Sequence, residues 1–283
     1  MGLLLLFNGA AMIFSAIVSA IYKDGATQGI TFAALLTLGI GGLVMFLTKN
    51  HQKEVKKREG YLIVTMGWLI VTASGTMPYL VTGAIPSVTN IFFETISGYT
   101  TTGASILNDV ESLPKGLLFW RSTTHWLGGM GIIVLAIAIL PLLGIGGMQL
   151  FSAEAPGISG DKIHPRISDT AKRLWFIYVG YTVAETLLLS VAGMSLFDAI
   201  NHAMSTVSTG GFSTKNDSLT FWNDVPAIQY IVILFMFLGG TNFVLSYFVF
   251  KGRIQKVLRD EEFKWYVTFL GIFLLIVVGV LWS

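Results

Sequence analysis

The chain has 283 residues, of which 53% are hydrophobic and only 12% charged, with a mean hydropathy of +0.71. A soluble domain carries about 25% charged residues, so this composition excludes disorder and nucleic-acid binding, argues against a soluble enzyme and predicts an integral membrane protein. Cysteine is absent, which excludes disulfides, thiolate metal sites and cysteine nucleophiles.

A helix crosses a bilayer core of about 30 Å with roughly 20 mostly apolar residues. Seven stretches meet that length, in chain order Leu3–Tyr22, Ile30–Thr48, Tyr61–Thr82, Leu117–Ile145, Leu174–Gly193, Ala227–Phe250 and Trp265–Trp282. The first lacks the positively charged start of a signal peptide and runs through Lys23-Asp24-Gly25 into the second, so it reads as a helix. Arg121 and Glu185 are the only Asp, Glu, Lys or Arg residues inside the seven.

Loop charge orients these spans, because cytoplasmic loops carry an excess of Lys and Arg. Fourteen of the eighteen basic residues fall in three loops: Lys49 to Arg58, Lys162 to Arg173 and Lys251 to Lys264. The other side has Lys23, Lys115, Lys215 and, at a helix start, Arg121. The three loops are therefore expected in the cytoplasm, and so is residue 1.

Spans three and four are too far apart for a simple turn, and so are spans five and six. Each connection opens with a short amphipathic run, Ile85–Tyr99 and Ser195–Val207, too short to cross a bilayer but suited to a re-entrant helix. Each run enters a patch of hydroxyl and glycine residues, Thr100-Thr101-Thr102-Gly103-Ala104-Ser105 and Ser208-Thr209-Gly210-Gly211-Phe212-Ser213. The two patches align at an offset of 108 residues, and Gly128-Gly129 aligns with Gly239-Gly240 at 111. The spacing predicts a repeated helix, pore loop, helix unit, complete twice and beginning a third time at Trp265, with the first two spans outside it. The expected fold is all-α and membrane-embedded. Its parts are two N-terminal helices (1–58), a first unit (59–150), a cytoplasmic loop (151–172), a second unit (173–252), and a linker with the first helix of a truncated third unit (253–283).

Non-helical backbone at membrane depth is tolerated only when buried in protein or lining a water-filled cavity. Potassium filters replace the ion's hydration shell with backbone carbonyls, and glycine supplies the φ values such a strand needs. A re-entrant helix entering from outside points its partially negative C-terminus into the membrane, which favours a cation. Small-residue runs also let helices pack closely; two copies in register favour the conducting reading.

The residues from Phe92 to Ala104, Trp126 to Val134 and Gly146 to Leu150, then Ala153-Glu154-Ala155-Pro156-Gly157, Pro165-Arg166-Ile167 and Ser208 to Ser213, carry a family resemblance. The chain resembles the membrane subunit of the Trk/Ktr/HKT superfamily of potassium transporters, in its bacterial TrkH branch and over that subunit's N-terminal portion. The resemblance implies four helix–pore–helix repeats around one pore in the bacterial inner membrane, assembly as a homodimer, and gating by a cytosolic TrkA-type nucleotide-binding subunit. It implies that this chain stops within the first helix of repeat three, without the second half of the pore or the gating loop of the third repeat. Carried over by position, Thr101, Thr102 and Gly103 match the ion ligands of the first filter segment, and Thr209, Gly210 and Gly211 those of the second. Thr100, Ala104, Ser208 and Phe212 flank them. Potassium is the implied transported ion, held at Thr101, Thr102, Thr209 and Gly210, with no tightly bound cofactor. Plant relatives with serine at the first-repeat glycine favour sodium, so Gly103 points to potassium, and a serine there is expected to lower selectivity without lowering expression.

Glu185 reads either as part of a conduction path or as a buried hydrogen-bonding group. Arg121 either pairs with Glu94 to brace the filter or snorkels to the interface. Gly128, Gly129, Gly131, Gly239 and Gly240 read as hinges or as close-packing positions against the re-entrant helices. His125 and His202 are too isolated for a metal site. An intramembrane protease lacks a convincing set of catalytic groups, while a non-conducting scaffold and a transporter passing both sodium and potassium stay open.

Overall fold

The computed structural model describes residues 1–49, 57–131 and 167–282, and all regular structure among them is helical. The expectations for 132–145 of span four, for 151–166 of the cytoplasmic loop, and for Lys53, Lys56, Lys162 and Arg166 fall outside the described residues.

Helices α1 (Gly2–Tyr22) and α2 (Thr27–Thr48) form a close hairpin. Small residues let the backbones approach: a Cβ on Gly9 would meet Leu38 at 2.7 Å, and one on Gly2 would meet the Gly41 carbonyl oxygen at 2.7 Å. Asp24 organises the turn, accepting from Ser19 Oγ and from the N–H of Ala26 at 3.0 Å. Its second oxygen accepts from the N–H of Gly116 at 2.7 Å, tying the hairpin to the helix that starts there.

Span three is interrupted. Helix α3 (Lys57–Gly75) ends before α4 (Met77–Thr82), which has Pro78 in its first turn. Proline has no N–H and crowds the preceding turn, so the ladder loosens here. Tyr79 N–H bonds to Thr76, and the Gly75 carbonyl accepts from Trp120 Nε1 at 3.0 Å. Gly75 is also a packing requirement, because a Cβ would meet the Tyr99 ring at 2.5 Å.

The expected re-entrant helices are α5 (Val88–Tyr99) and, after α7 (Ile167–Val191), α8 (Leu196–Val207). Both start later than the sequence reading. Ser195 is the N-cap of α8, accepting from Asp198 N at 3.1 Å and donating to Asp198 Oδ2 at 2.7 Å. Span four runs as α6 (Lys115–Trp126) and then winds loosely through Leu127–Gly131, with Gly129 outside helical backbone angles. Helix α6 lies between α1, α5 and α8, and it is buried all round despite Arg121, Ser122, Thr123, Thr124 and His125.

Span six, expected as one helix over Ala227–Phe250, is two: α9 (Pro226–Gly240) and α10 (Phe243–Phe250), bent by 105°. The Gly239-Gly240 pair weakens the helix, and Asn242 restarts it as an N-cap accepting from Val244 N at 3.0 Å. Helix α11 (Ile254–Arg259) then leads to α12 (Glu261–Trp282), which has no buried residue. Helices α1, α2 and α12 and the 172–191 part of α7 are each long and apolar enough to cross a membrane, and the bent pair α9–α10 is a fifth candidate.

Candidate functional site

The two hydroxyl–glycine patches leave their helices by the same backbone path. Thr100 and Ser208 cap α5 and α8 in helical conformation, and the next residues, Thr101 (φ 54) and Thr209 (φ 58), turn left-handed. Thr101 N–H bonds to Gly98 O at 3.0 Å and Thr102 N–H to Ser97 O at 3.0 Å. Thr209 N–H bonds to Thr206 O at 2.8 Å and Gly210 N–H to Ser205 O at 2.8 Å. This is the reciprocal carbonyl capping of a Schellman turn, but with threonine where glycine is the usual residue. A β-branched residue at positive φ is an outlier, of a kind that clusters at functional sites and costs on the order of 1–3 kcal/mol. Two residues on, Gly103 (φ 75) and Gly211 (φ 90) turn left-handed again.

The patches meet. A Cβ on Gly103 would overlap the Gly210 carbonyl oxygen, with backbone as the obstacle on both sides. Any side chain at 103, serine included, therefore displaces the second patch, so a substitution there alters the packing of both patches. Gly211, by contrast, has nothing within 4 Å of its Cβ position. Thr100, Thr102, Thr209 and Gly211 are exposed, Thr101, Gly103 and Gly210 are half-buried, and Ser208 is buried.

Behind the patches lies a polar frame. Arg121 is 3% exposed and its Nε donates to Glu94 Oε1 at 2.5 Å, so the pairing reading of Arg121 holds and the snorkelling one does not. Glu94 also accepts from Ser105 Oγ at 3.1 Å and from the N–H of Ile106 at 2.9 Å, holding the exit of the first patch. Ser97 Oγ donates to the Ala104 carbonyl at 2.6 Å. Arg121 Nη1 reaches across to the Ser213 carbonyl at 2.9 Å. The Phe212 ring lies between Arg121, 3.6 Å from its centroid, and the stacked His125 ring at 3.8 Å. His125 Nδ1 is 2.9 Å from Ser205 Oγ, and His202 Nε2 is 3.0 Å from Ser213 Oγ. Both histidines are thus part of the frame.

The glycine pairs are close-packing positions, as one of the two readings has it. A Cβ on Gly128 would overlap the Tyr99 carbonyl oxygen, and one on Gly239 would meet that of Val207 at 2.9 Å; these are the last carbonyls of α5 and α8. Tyr178 is a site residue the sequence reading missed. Its hydroxyl donates to the Trp126 carbonyl at 2.9 Å, where α6 loosens. A Cβ on Gly129 would meet that hydroxyl at 2.6 Å and Ser208 Cβ at 3.0 Å. Tyr266 repeats the contact, donating to the Phe237 carbonyl at 3.4 Å, with Gly240 2.6 Å from its hydroxyl by the same measure. Only an aromatic phenol within a span signals this in sequence, which is too common to single out.

Glu185 is fully buried, and neither carboxylate oxygen has a hydrogen bond of normal geometry, although Thr206 stands beside it. Beyond the patches the two connections are tied by Lys215 Nζ to Glu111 Oε2 at 2.9 Å, by Asn216 Nδ2 to Asp109 Oδ1 at 3.0 Å and by Val110 N to Asn216 Oδ1 at 2.7 Å. The Lys215 ammonium and the Asn216 N–H hold the Glu111 carboxyl below its ordinary pKa.

Left-handed threonines and glycines on paired loops, at the C-termini of short helices in an apolar helical protein, are the geometry of a membrane protein that holds irregular backbone between its helices. A family model described as TrkH, a cation transport protein, matches residues 26–282, and the chain belongs to that family. The Trk system potassium uptake protein TrkH of Salmonella typhimurium is 44% identical over 98% of this chain and 57% of its own length. The Trk system potassium uptake protein TrkG of Escherichia coli is 36% identical over 99% of this chain. The crystal structure of the potassium transporter TrkH from Vibrio parahaemolyticus superposes with a TM-score of 0.79 at 38% identity, covering 94% of this chain and 55% of that one. The chain thus spans less than two thirds of the length of these TrkH relatives.

Proposed function

We propose that the complete protein takes up potassium across the bacterial inner membrane, and that this chain supplies half of the conducting path. The observation that carries the reading is the paired backbone: two loops with the same capped turn, left-handed threonine and left-handed glycine, meeting at Gly103 and Gly210. The relatives' names supply the ion. In this reading Thr101, Thr102, Gly103, Thr209, Gly210 and Gly211 line the selectivity filter and present carbonyls to potassium, and Thr100 and Ser208 flank it. Residues 59–150 and 173–252 are the first two helix–pore loop–helix units, preceded by the two helices of 1–58 and followed in 253–283 by the start of a third. The N-terminus is cytoplasmic, the assembly is a homodimer, and a cytosolic TrkA-type nucleotide-binding subunit gates it.

An ion that keeps half its carbonyl ligands has not recovered its hydration energy. The 283-residue chain alone therefore forms no selective pore as a monomer. The test is rubidium uptake by the complete protein in vesicles, with sodium as competitor. Saturable uptake that sodium displaces only weakly is expected; absent uptake, or equal competition by sodium, overturns the reading. Single cysteines at Gly25, Asn108 and Asp217 are expected to react with an impermeant thiol reagent from outside cells, and one at Gln255 to be protected.

A further inference from the structure

Glu94 and His202 occupy the same position on the two re-entrant helices, 108 residues apart, and so do Ser105 and Ser213 at the ends of the two patches. Each pair is bonded: Glu94 to Ser105 Oγ at 3.1 Å, and His202 to Ser213 Oγ at 3.0 Å. The helices behind them differ. At the 111-residue spacing of the glycine pairs, Arg121 corresponds to Val232, so the second unit has no cation of its own here. One guanidinium serves both loops. Its Nε holds Glu94, its Nη1 holds the Ser213 carbonyl at 2.9 Å, and it stacks against Phe212, the residue directly after Gly211.

We infer that Arg121 is a specificity-determining positioning residue for the second filter segment, and that Glu94 of the first unit sets the shape of that segment through it. The inference rests on the filter reading of the two loops. A carbonyl site prefers potassium only while the number and separation of its carbonyls are held; a strand free to close around the ion accommodates the smaller sodium. Three directional contacts fix the guanidinium plane, and burial leaves no water to replace any of them. An ammonium at this position neutralises Glu94 as a point charge. It does not also span to the Ser213 carbonyl and cover the Phe212 ring.

Arg121→Lys in the complete protein tests this, with rubidium uptake and sodium competition in vesicles and the selectivity ratio, not the rate, as the readout. Removing either partner alone leaves a buried unpaired charge, which is strongly destabilising. The second variant is therefore Glu94→His with Arg121→Val, which copies the neutral arrangement of the second unit into the first. In both, the preference for rubidium over sodium is expected to fall by at least about tenfold, the equivalent of one lost charge-assisted hydrogen bond. An unchanged ratio in the double variant overturns the inference. So does loss of all uptake in both variants, which would make the ion pair a requirement of the fold instead of selectivity. Failure of the unsubstituted protein to take up rubidium is a separate result and sinks the transport reading itself.

Discussion

In the first loop a carboxylate, Glu94, reaches forward to hold Ser105 and Ile106; in the second an imidazole, His202, reaches Ser213 from the same place on its helix. The backbones between are nearly the same, down to the left-handed threonines at 54° and 58°. The backbone path is thus what both loops require, and the side chains that brace it vary. The variation has a physical consequence. A buried carboxylate needs a cation, and Arg121 supplies it and bridges to the second loop, whereas the His202 ring is held by the Asp198 carbonyl at 2.8 Å and the Ser213 hydroxyl at 3.0 Å. The bracing of the two loops is therefore unequal, and the second depends on the first.

Glycine substitutions break the comparison most strongly. Gly103→Ala meets the Gly210 carbonyl and adds the left-handed penalty, so a loss of about 3 kcal/mol or more is expected. Gly211→Ala, with open space beside it, is expected to lose only about 1–2 kcal/mol. Thermal unfolding of the two purified variants in detergent decides it, and equal losses contradict the contact between the loops. Next come the helix glycines. Gly128→Ala overlaps the last carbonyl of α5, whereas Gly239→Ala meets that of α8 at 2.9 Å. Losses of roughly 3 and 1 kcal/mol, at the two ends of the overpacking range, are expected in that order.

A smaller effect tests the tyrosine contacts. Tyr178→Phe removes a buried 2.9 Å hydrogen bond and is expected to lose about 1 kcal/mol. Tyr266→Phe removes a 3.4 Å one on a half-buried residue and is expected to lose less. A larger loss at 266 would reverse the ranking. The smallest effect is at the tie between the two connections. Glu111 has its folded-state pKa depressed, first by Lys215 and then by the Asn216 N–H. Its contribution is present above the unfolded carboxylate value of about 4.3 and is lost as pH falls through the lower folded value. Exposed pairs contribute little, so Glu111→Gln is expected to lower the melting temperature slightly at neutral pH, to flatten the acid side of the profile, and to leave the most acidic end unchanged. An unaltered acid slope would show that the tie carries no stability.

Much of this arrangement is legible in the residues. The two short helices α5 and α8 read to their observed ends, because Tyr99 and Val207 precede hydroxyl–glycine patches that do not continue a helix. Their starts were displaced because Ser195 caps instead of opening its helix and Ser87 precedes α5 from extended backbone. Of the frame, the Glu94–Arg121 pair is legible as one of two readings of Arg121, the one Lys or Arg inside the expected spans, and the structure chooses between them. The second arm of Arg121 to Ser213 and the stack of Phe212 between Arg121 and His125 are not legible, since they depend on the second loop lying against α6. Span six shows the same division. Its apolar run over Ala227–Phe250 fits one crossing, while Gly239, Gly240 and the cap Asn242 permit the 105° bend without requiring it.

The sequence by itself determined the membrane class, the helical content and the position of the two loops, but not that Thr101 and Thr209 turn left-handed in them. The first three depend on composition, on periodicity and on capping, all of which act within a few residues along the chain. Only the tertiary structure decided that Gly103 abuts Gly210, that Arg121 is shared between loops, and that Tyr178 closes on Trp126. Those contacts join residues 107, 92 and 52 positions apart. Whether such residues meet is set by how the helices pack, and packing is decided by shape and burial summed over whole helices, which no short stretch of sequence contains.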